Sequence, residues 1–149
     1  MSKDVKIALV ISENIQNRMF TPRDLETLKS LGNVAGPVNL NDAAALAALL
    51  DGARIAVTGW GSPRFDAALL AKAPDLRMVA HTAGTVKGLV SDELYDRGIV
   101  VTTSAAANAV PVALKTGAKP GTKEFRAALR DALEGIKELV TTHGVMNMS

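Results

Sequence analysis

The side chains that could carry out chemistry in this 149-residue chain are few and widely separated. His81 and His143 are far apart in sequence, and neither has a second ligand four residues away, as a zinc-binding helix would provide. Ser62 and Ser104 lack the Gly-x-Ser-x-Gly turn that presents the nucleophile in many hydrolases. The chain has no cysteine, which excludes disulfides, thiolate catalysis and cysteine-based metal sites. We therefore predict no catalytic residue and no metal site.

Cofactor and partner signals are equally sparse. No Gly-x-Gly-x-x-Gly follows a strand pattern, so no dinucleotide cradle and no cofactor is predicted. The net charge is only +2 and the basic residues are scattered, which argues against nucleic acid as a partner. Lys115, Lys119 and Lys123 form a loose basic group of the kind that usually lies on a solvated face.

The chain shows no sign of a membrane or export destination. No apolar run approaches the ~18 residues that a membrane span needs, so we expect no membrane contact. The strand pattern begins at Val5, which leaves no room for a signal peptide, and the absence of cysteine fits a reducing compartment. We expect a cytoplasmic protein that needs no partner.

Short apolar runs alternate with helical patterns along the chain, which is typical of a parallel sheet with helical crossovers. Only 3% of residues are aromatic, so the core must consist mainly of Ala, Val, Leu and Ile. Five strands are predicted, at 5–11, near 34–35, and at 55–58, 76–81 and 99–103. A loop is expected after the first strand, as far as Thr21. Helices are expected after the N-cap Thr21, from Asn41-Asp42, over 66–73, and after a cap at Ser91 or Thr85.

A final amphipathic helix is predicted near the end of the chain, capped by Gly121 or Thr122. Its apolar positions recur at helical spacing, and they are Phe125, Ala128, Leu129, Ala132, Leu133, Ile136, Leu139 and Val140. We expect this stripe to cover one face of the sheet. The whole chain, 1–149, is then one α/β domain, a three-layer flavodoxin-like sandwich with five parallel strands in the order 2-1-3-4-5.

Two stretches carry a likeness to a known family. VAHTAGTV at 79–86 and TTSAAANAVPVA at 102–113 resemble the D-isomer-specific 2-hydroxyacid dehydrogenases, and the likeness covers about residues 4–113. In that family this part is the substrate-binding domain, and hydride transfer needs a second, nucleotide-binding domain that carries the catalytic residues. Leu114 stands where the family usually has a glutamate, and the pattern breaks there.

The remainder of the chain, from about residue 110 to 149, is similar to a different family. KPGT at 119–122, EFRAALRDALE at 124–134 and THGVMNMS at 142–149 look like an internal segment of type I periplasmic binding proteins for branched-chain amino acids. Two such parents meeting within 110–115 suggest a constructed chimera of a dehydrogenase-like fragment (1–113) and a second fragment (114–149). A natural fusion or a truncated pseudo-enzyme is the alternative.

The first resemblance also implies a remnant binding site for carboxylates. By matching position, backbone N–H groups of Ala83, Gly84 and Thr85 would receive a substrate carboxylate, with Trp60 and Gly61 lining the same cleft. Gly84 would allow close approach, and a helix beginning nearby would add a positive end. These glycines could equally be ordinary turn residues at strand ends.

Three functions are compatible with the sequence. The chain is expected to be an engineered fold chimera with no catalytic function. The alternative is an isolated substrate-binding domain with weak affinity for small 2-oxo or 2-hydroxy carboxylates. The third is weak self-association through a domain interface left uncovered. Neither a phosphoreceiver, which needs an acidic acceptor where Thr58-Gly59-Trp60 stands, nor a flavin site after the first strand fits the residues.

Overall fold

Five short parallel strands form the centre of the computed structural model, which describes residues 5–103. Their order is β2-β1-β3-β4-β5, which confirms the predicted topology. The strands are β1 (Lys6–Val10), β2 (Asn33–Ala35), β3 (Ala53–Thr58), β4 (Met78–His81) and β5 (Val100–Thr103). The predicted last helix at 122–140, the junction at 110–115 and the segment 141–149 lie outside the described residues.

Within residues 5–103, five helices accompany these strands. They are α1 (Glu13–Met19), α2 (Pro22–Leu31), α3 (Ala43–Leu50), α4 (Ala67–Ala71) and α5 (Asp92–Asp96). Each begins after a side chain that accepts a hydrogen bond from a backbone N–H of its first turn, and these caps are Ser12, Thr21, Asp42, Asp66 and Ser91. The predicted N-cap Thr21 is confirmed. The helices predicted from Asn41-Asp42 and over 66–73 are Ala43–Leu50 and Ala67–Ala71, and Ser91 rather than Thr85 caps the helix before β5.

The loop predicted between β1 and Thr21 is wrong, because residues 13–19 form helix α1. Ser12 accepts a hydrogen bond from Ile15 N at 3.3 Å, and Glu13 places a negative charge in the first turn. Ile15 and Met19, four residues apart, face the core. Seven residues with only one fully buried side chain give a weak periodic signal, so the cap was the only strong indication of a helix.

The sheet is covered on both faces by apolar side chains. Ile7, Leu9 and Ile11 pack with side chains of α1 and α2, whereas Ala8 and Val10 pack with side chains of α3, α4 and α5. Right-handed crossovers explain this division, because the chain moves from β1 outward to β2 and then back across β1 to β3, β4 and β5. The two directions of travel place the connecting helices on opposite faces.

The guanidinium of Arg97 holds the end of α4. It donates to the carbonyl oxygens of Leu70 and Ala73, both at 2.8 Å, and to that of Pro74 at 3.1 Å. These carbonyls lie at and just after the end of a short helix, where those of Leu70 and Ala73 also accept the backbone N–H groups of Ala73 and Leu76. One side chain after α5 therefore joins two neighbouring crossovers.

Gly36 is the residue at which the chain leaves the edge strand β2. Its φ is +92°, and a Cβ built there would lie 2.7 Å from the carbonyl oxygen of Leu9 in β1. A side chain would therefore meet the backbone of the central strand. Gly52 also has a positive φ, +76°, but a Cβ there would meet nothing within 4 Å.

Substitution by alanine should destabilise the protein by different amounts at Gly36 and at Gly52. Gly52→Ala should lower the free energy of unfolding by about 1–2 kcal/mol, because the only cost is the strain of an alanine in the left-handed backbone conformation. Gly36→Ala should cost clearly more, because β1 would also have to move away from the new methyl group. Urea denaturation of both variants measures the difference, and equal costs would show that the contact with Leu9 is easily relieved.

Candidate functional site

The loop that follows β3 is fastened to the end of β1. The hydroxyl of Ser62 donates to the carbonyl oxygen of Val10 at 2.6 Å and accepts from the backbone N–H of Gly59 at 2.9 Å. The carboxyl ends of parallel strands lie at one edge of the sheet, where open α/β folds bind ligands. Ser62 therefore fixes the position of Trp60 and Gly61 at this edge.

His81 ends β4 and is almost completely buried, with 5% of its surface exposed. Its Nδ1 is hydrogen-bonded to Oγ1 of Thr58 at 2.8 Å, and Thr82 Oγ1 donates to the carbonyl oxygen of Thr58 at the same distance. Burial lowers the pKa of His81 below its ordinary value, and a backbone hydrogen bond with Thr85 opposes that shift. The imidazole thus joins β3, β4 and the loop after β4.

Helix α1 also contacts this edge. The hydroxyl of Thr82 lies 3.8 Å from the sulfur of Met19, and a Cβ at Gly59 would meet both of those atoms within 3.3 Å. Position 59 therefore has no room for a larger residue, because the last turn of α1 packs closely against the ends of β3 and β4.

The predicted carboxylate loop lies directly after β4. Ala83 is buried, Gly84 half-buried and Thr85 exposed. The hydroxyl of Thr103, at the end of β5, shares its single hydrogen between the carbonyl oxygens of Ala83, at 3.1 Å, and Gly84. Within residues 5–103, the backbone N–H groups of Gly84 and Thr85 have no hydrogen-bond acceptor. The loop is therefore held by its carbonyl groups.

The helix expected to begin beside this loop is not there. Residues 86–90 form a single turn, with Leu89 N and Val90 N both donating to Val86 O, and α5 begins only at Asp92. Ser91 N-caps that helix and also donates to the carbonyl oxygen of Phe65 at 2.5 Å. No helix dipole therefore supports an anion at 83–85, which corrects that part of the sequence analysis.

A cavity of about 670 Å³ opens at the same edge of the sheet, between the loops that follow β1, β2 and β3. Residues 12–14, 37–41 and 60–61 line it. Trp60 and Gly61 line this cavity, whereas Ala83, Gly84 and Thr85, predicted to share a cleft with them, are not among its described lining residues. The contributions of 12–14 and 37–41 were not predicted from the sequence, although Asn39-Leu40-Asn41-Asp42 has the composition of a loop that shapes a site.

Residues 5–103 contain no group of three or more His, Asp or Glu side chains placed to hold a metal ion. In the same part of the chain, none of the helices has the length and apolar character required to cross a bilayer.

Comparison with known proteins identifies relatives by fold. Neither a family model nor a curated protein sequence matches the chain. Among solved structures, a Pyrococcus horikoshii OT3 protein aligns with 97% of this chain and 39% of its own length, at 13% identity and a TM-score of 0.58. The NAD⁺-bound 3-phosphoglycerate dehydrogenase of Entamoeba histolytica aligns with 89% of this chain and 51% of its own length, at 14% identity and a TM-score of 0.56.

A third structure, the 2-hydroxyacid dehydrogenase of Ketogulonicigenium vulgare Y25, aligns with 92% of this chain and 53% of its own, at 17% identity and a TM-score of 0.51. The chain therefore spans between 39% and 53% of the length of these three proteins. At such identities the likeness establishes the fold. The chain has a flavodoxin-like α/β fold that is also found in 2-hydroxyacid dehydrogenases.

The buried imidazole predicts how stability depends on pH. Because the pKa of His81 is lowered in the folded protein, the unfolded chain takes up a proton first as the pH falls below the ordinary value of 6.5. Stability contributed by neutral His81 is therefore present above pH 6.5 and is lost as the pH falls toward the folded pKa. His81→Asn should flatten this part of the profile in urea unfolding. An unchanged slope in His81→Asn would assign the pH dependence to other groups.

Proposed function

We propose that this chain is a fold chimera without catalytic function of its own, in which a dehydrogenase-like part, 1–113, is joined to a second segment, 114–149. The observation that carries the proposal is that the polar side chains at the carboxyl edge of the sheet form hydrogen bonds within the protein. Ser62, Thr82 and Thr103 each donate to a backbone carbonyl of a neighbouring strand or loop. His81 is buried against Thr58. A general base must reach a substrate proton, whereas these groups connect strands.

The covering of the sheet supports the second half of the proposal. Helices α1 and α2, which precede β2, are the described helices that contribute to the core cluster on their face. Met78 and Ala80 of β4 belong to the same cluster and are completely buried. A flavodoxin-like sheet needs a helix after β5 on this face. The apolar stripe of 125–140 has the spacing and length for that position.

This role of the C-terminal segment predicts opposite outcomes for two matched substitutions. Leu129 belongs to the apolar stripe, whereas Ala127 lies on the polar side of the same predicted helix. Leu129→Asp should abolish cooperative unfolding or lower Tm strongly, and Leu129→Ala should cost about 2–5 kcal/mol, the usual cost of truncating a buried leucine. Ala127→Asp should stay within about 0.5 kcal/mol, as a surface substitution does.

Amide hydrogen exchange supplies an independent readout. Residues 125–140 should be protected to the same degree as β1 and β3 in the unsubstituted chain. If they exchange freely and Leu129→Asp leaves Tm unchanged, the segment is an appendage and the proposed chimera has no shared core.

A second candidate function is weak binding of small 2-oxo or 2-hydroxy carboxylates at residues 83–85. The observation in its favour is the loop itself, whose carbonyl groups are occupied by Thr103 while the N–H groups of Gly84 and Thr85 remain available among the described residues. A Cβ at Gly84 would meet nothing within 4 Å, so the space beside this backbone is open. Without a helix dipole, the affinity should be millimolar or weaker.

Titration with pyruvate tests this candidate by NMR. The amide signals of Gly84 and Thr85 should shift at tens of millimolar pyruvate, about the concentration that millimolar affinity requires. Gly84→Ala should fold normally, because the space is open and φ is not positive, but it should weaken the shift at Thr85. Gly88→Ala, equally open, is the matched control. Absence of shifts at 84 and 85 would leave the loop a purely structural turn.

A further inference from the structure

The cavity beside Trp60 lies where the winding direction of the sheet changes. The loop after β1 leads toward β2, at one edge of the sheet, whereas the loop after β3 leads toward β4, on the other side of β1. Loops that diverge in this way open a crevice at the carboxyl ends of the strands, and ligands of open α/β folds bind there. At about 670 Å³, the cavity has the size of a small-molecule site.

The walls of the cavity are held in place by hydrogen bonds. Ser62 fixes the Trp60 loop to Val10 at the end of β1. Asn39 Oδ1 accepts from the backbone N–H of Asn41 at 3.0 Å, which closes a turn in the second wall. Ser12 caps α1 and so positions Glu13 and Asn14 in the third wall. Each wall is therefore defined before a ligand arrives, which reduces the ordering cost of binding.

The charges of the lining residues disfavour anions. Glu13 contributes a negative charge, and no Lys, Arg or His is among the described residues that line the cavity. Glu13 also lies in the first turn of α1, where its charge offsets the positive end of that helix. A carboxylate or phosphate entering here would lose its hydration without gaining a counter-charge. This cavity is therefore chemically unlike the carboxylate loop at 83–85.

The remaining groups match a ligand rich in hydroxyl groups. Asn14, Asn39 and Asn41 bring amides, which both donate and accept hydrogen bonds, as hydroxyl groups do. Trp60, 40% exposed, adds a broad aromatic surface. The negative face of an indole attracts the weakly positive C–H groups on the apolar side of a sugar ring. The cavity is therefore lined by groups that suit neutral sugars, namely amides, one carboxylate and one indole.

We propose that this cavity is a binding site for neutral polyhydroxylated ligands of mono- or disaccharide size. The walls after β1 and β2 supply hydrogen bonds, Trp60 supplies the stacking surface, and Glu13 selects against acidic sugars. The site goes beyond the proposed function, because it requires neither the carboxylate loop nor the joining of two parent segments.

The tryptophan provides a direct readout, since Trp60 is the only tryptophan of the chain. Its fluorescence should change saturably when glucose or maltose is added, with an apparent Kd in the millimolar range, about that of a site with few contacts. Glucuronate has the glucose ring with a carboxylate at one end, and it should bind at least several-fold more weakly. The Gly61 amide signal should shift with the same apparent Kd.

Variants assign the signal to the cavity. Glu13→Gln should bring the affinity for glucuronate close to that for glucose, because the repelling charge is gone. Asn14→Ala should weaken glucose binding several-fold. Glu26→Gln, the same charge change on the exposed side of α2, should leave both affinities as they are. Thermal melts of the three variants show whether each is folded, and Gly84→Ala should keep glucose binding even where pyruvate shifts are lost.

Three results would overturn the proposal. One is the absence of any saturable change in fluorescence or in the Gly61 amide with glucose and maltose up to about 100 mM, far above a millimolar Kd. Another is equal binding of glucose and glucuronate in the unsubstituted chain. The last is a response to tetramethylammonium in place of sugars, which would make the cavity a cation site formed by Trp60 and Glu13.

Discussion

The pairing of β1 with strands on both of its sides is the constraint on which the rest of the structure depends. Lys6, Ile7 and Ala8 pair with β2, and the whole of β1 pairs with β3. A strand in this position is covered on both faces and cannot carry polar side chains at its centre. Ile7, Ala8, Leu9 and Val10 are at most 1% exposed, which accounts for the unbroken apolar run in the sequence. The same double pairing reverses the winding direction and so opens the cavity beside Trp60.

Much of the fold could be predicted from the sequence, because its signals are local and agree with one another. The sheet order followed from five apolar runs separated by helical segments, and Thr21-Pro22-Arg23-Asp24 indicated the start of α2 through its capping box. Helix α1 was not predicted, because a short helix with one buried residue has little apolar periodicity. The N-cap residue Ser12 is its only strong signal in the sequence. Its existence depends on tertiary contacts, including that of Met19 with the ends of β3 and β4, which no local pattern records.

The candidate site was harder to predict, since it combines loops from distant parts of the chain. Trp60 and Gly61 attracted notice as the end of a strand, but the wall formed by 37–41 is created by the turn at Gly36, whose tight approach to Leu9 is invisible in the sequence. The expected helix end beside Gly84 depended on a choice between two caps, Thr85 and Ser91. Ser91 prevails because its hydroxyl also bonds to Phe65, a fully buried aromatic residue of the preceding crossover.

The spacing of the strand pairs along the chain has a consequence for the order of folding. Residues paired between β1 and β3, such as Lys6 and Ala53, are about twice as far apart in sequence as those paired between β3 and β4 or between β4 and β5. Doubling the length of a loop raises the free-energy cost of closing it by about 0.6 kcal/mol. By loop-closure entropy alone, we therefore expect β3, β4 and β5 to pair with one another before β1 pairs with β3.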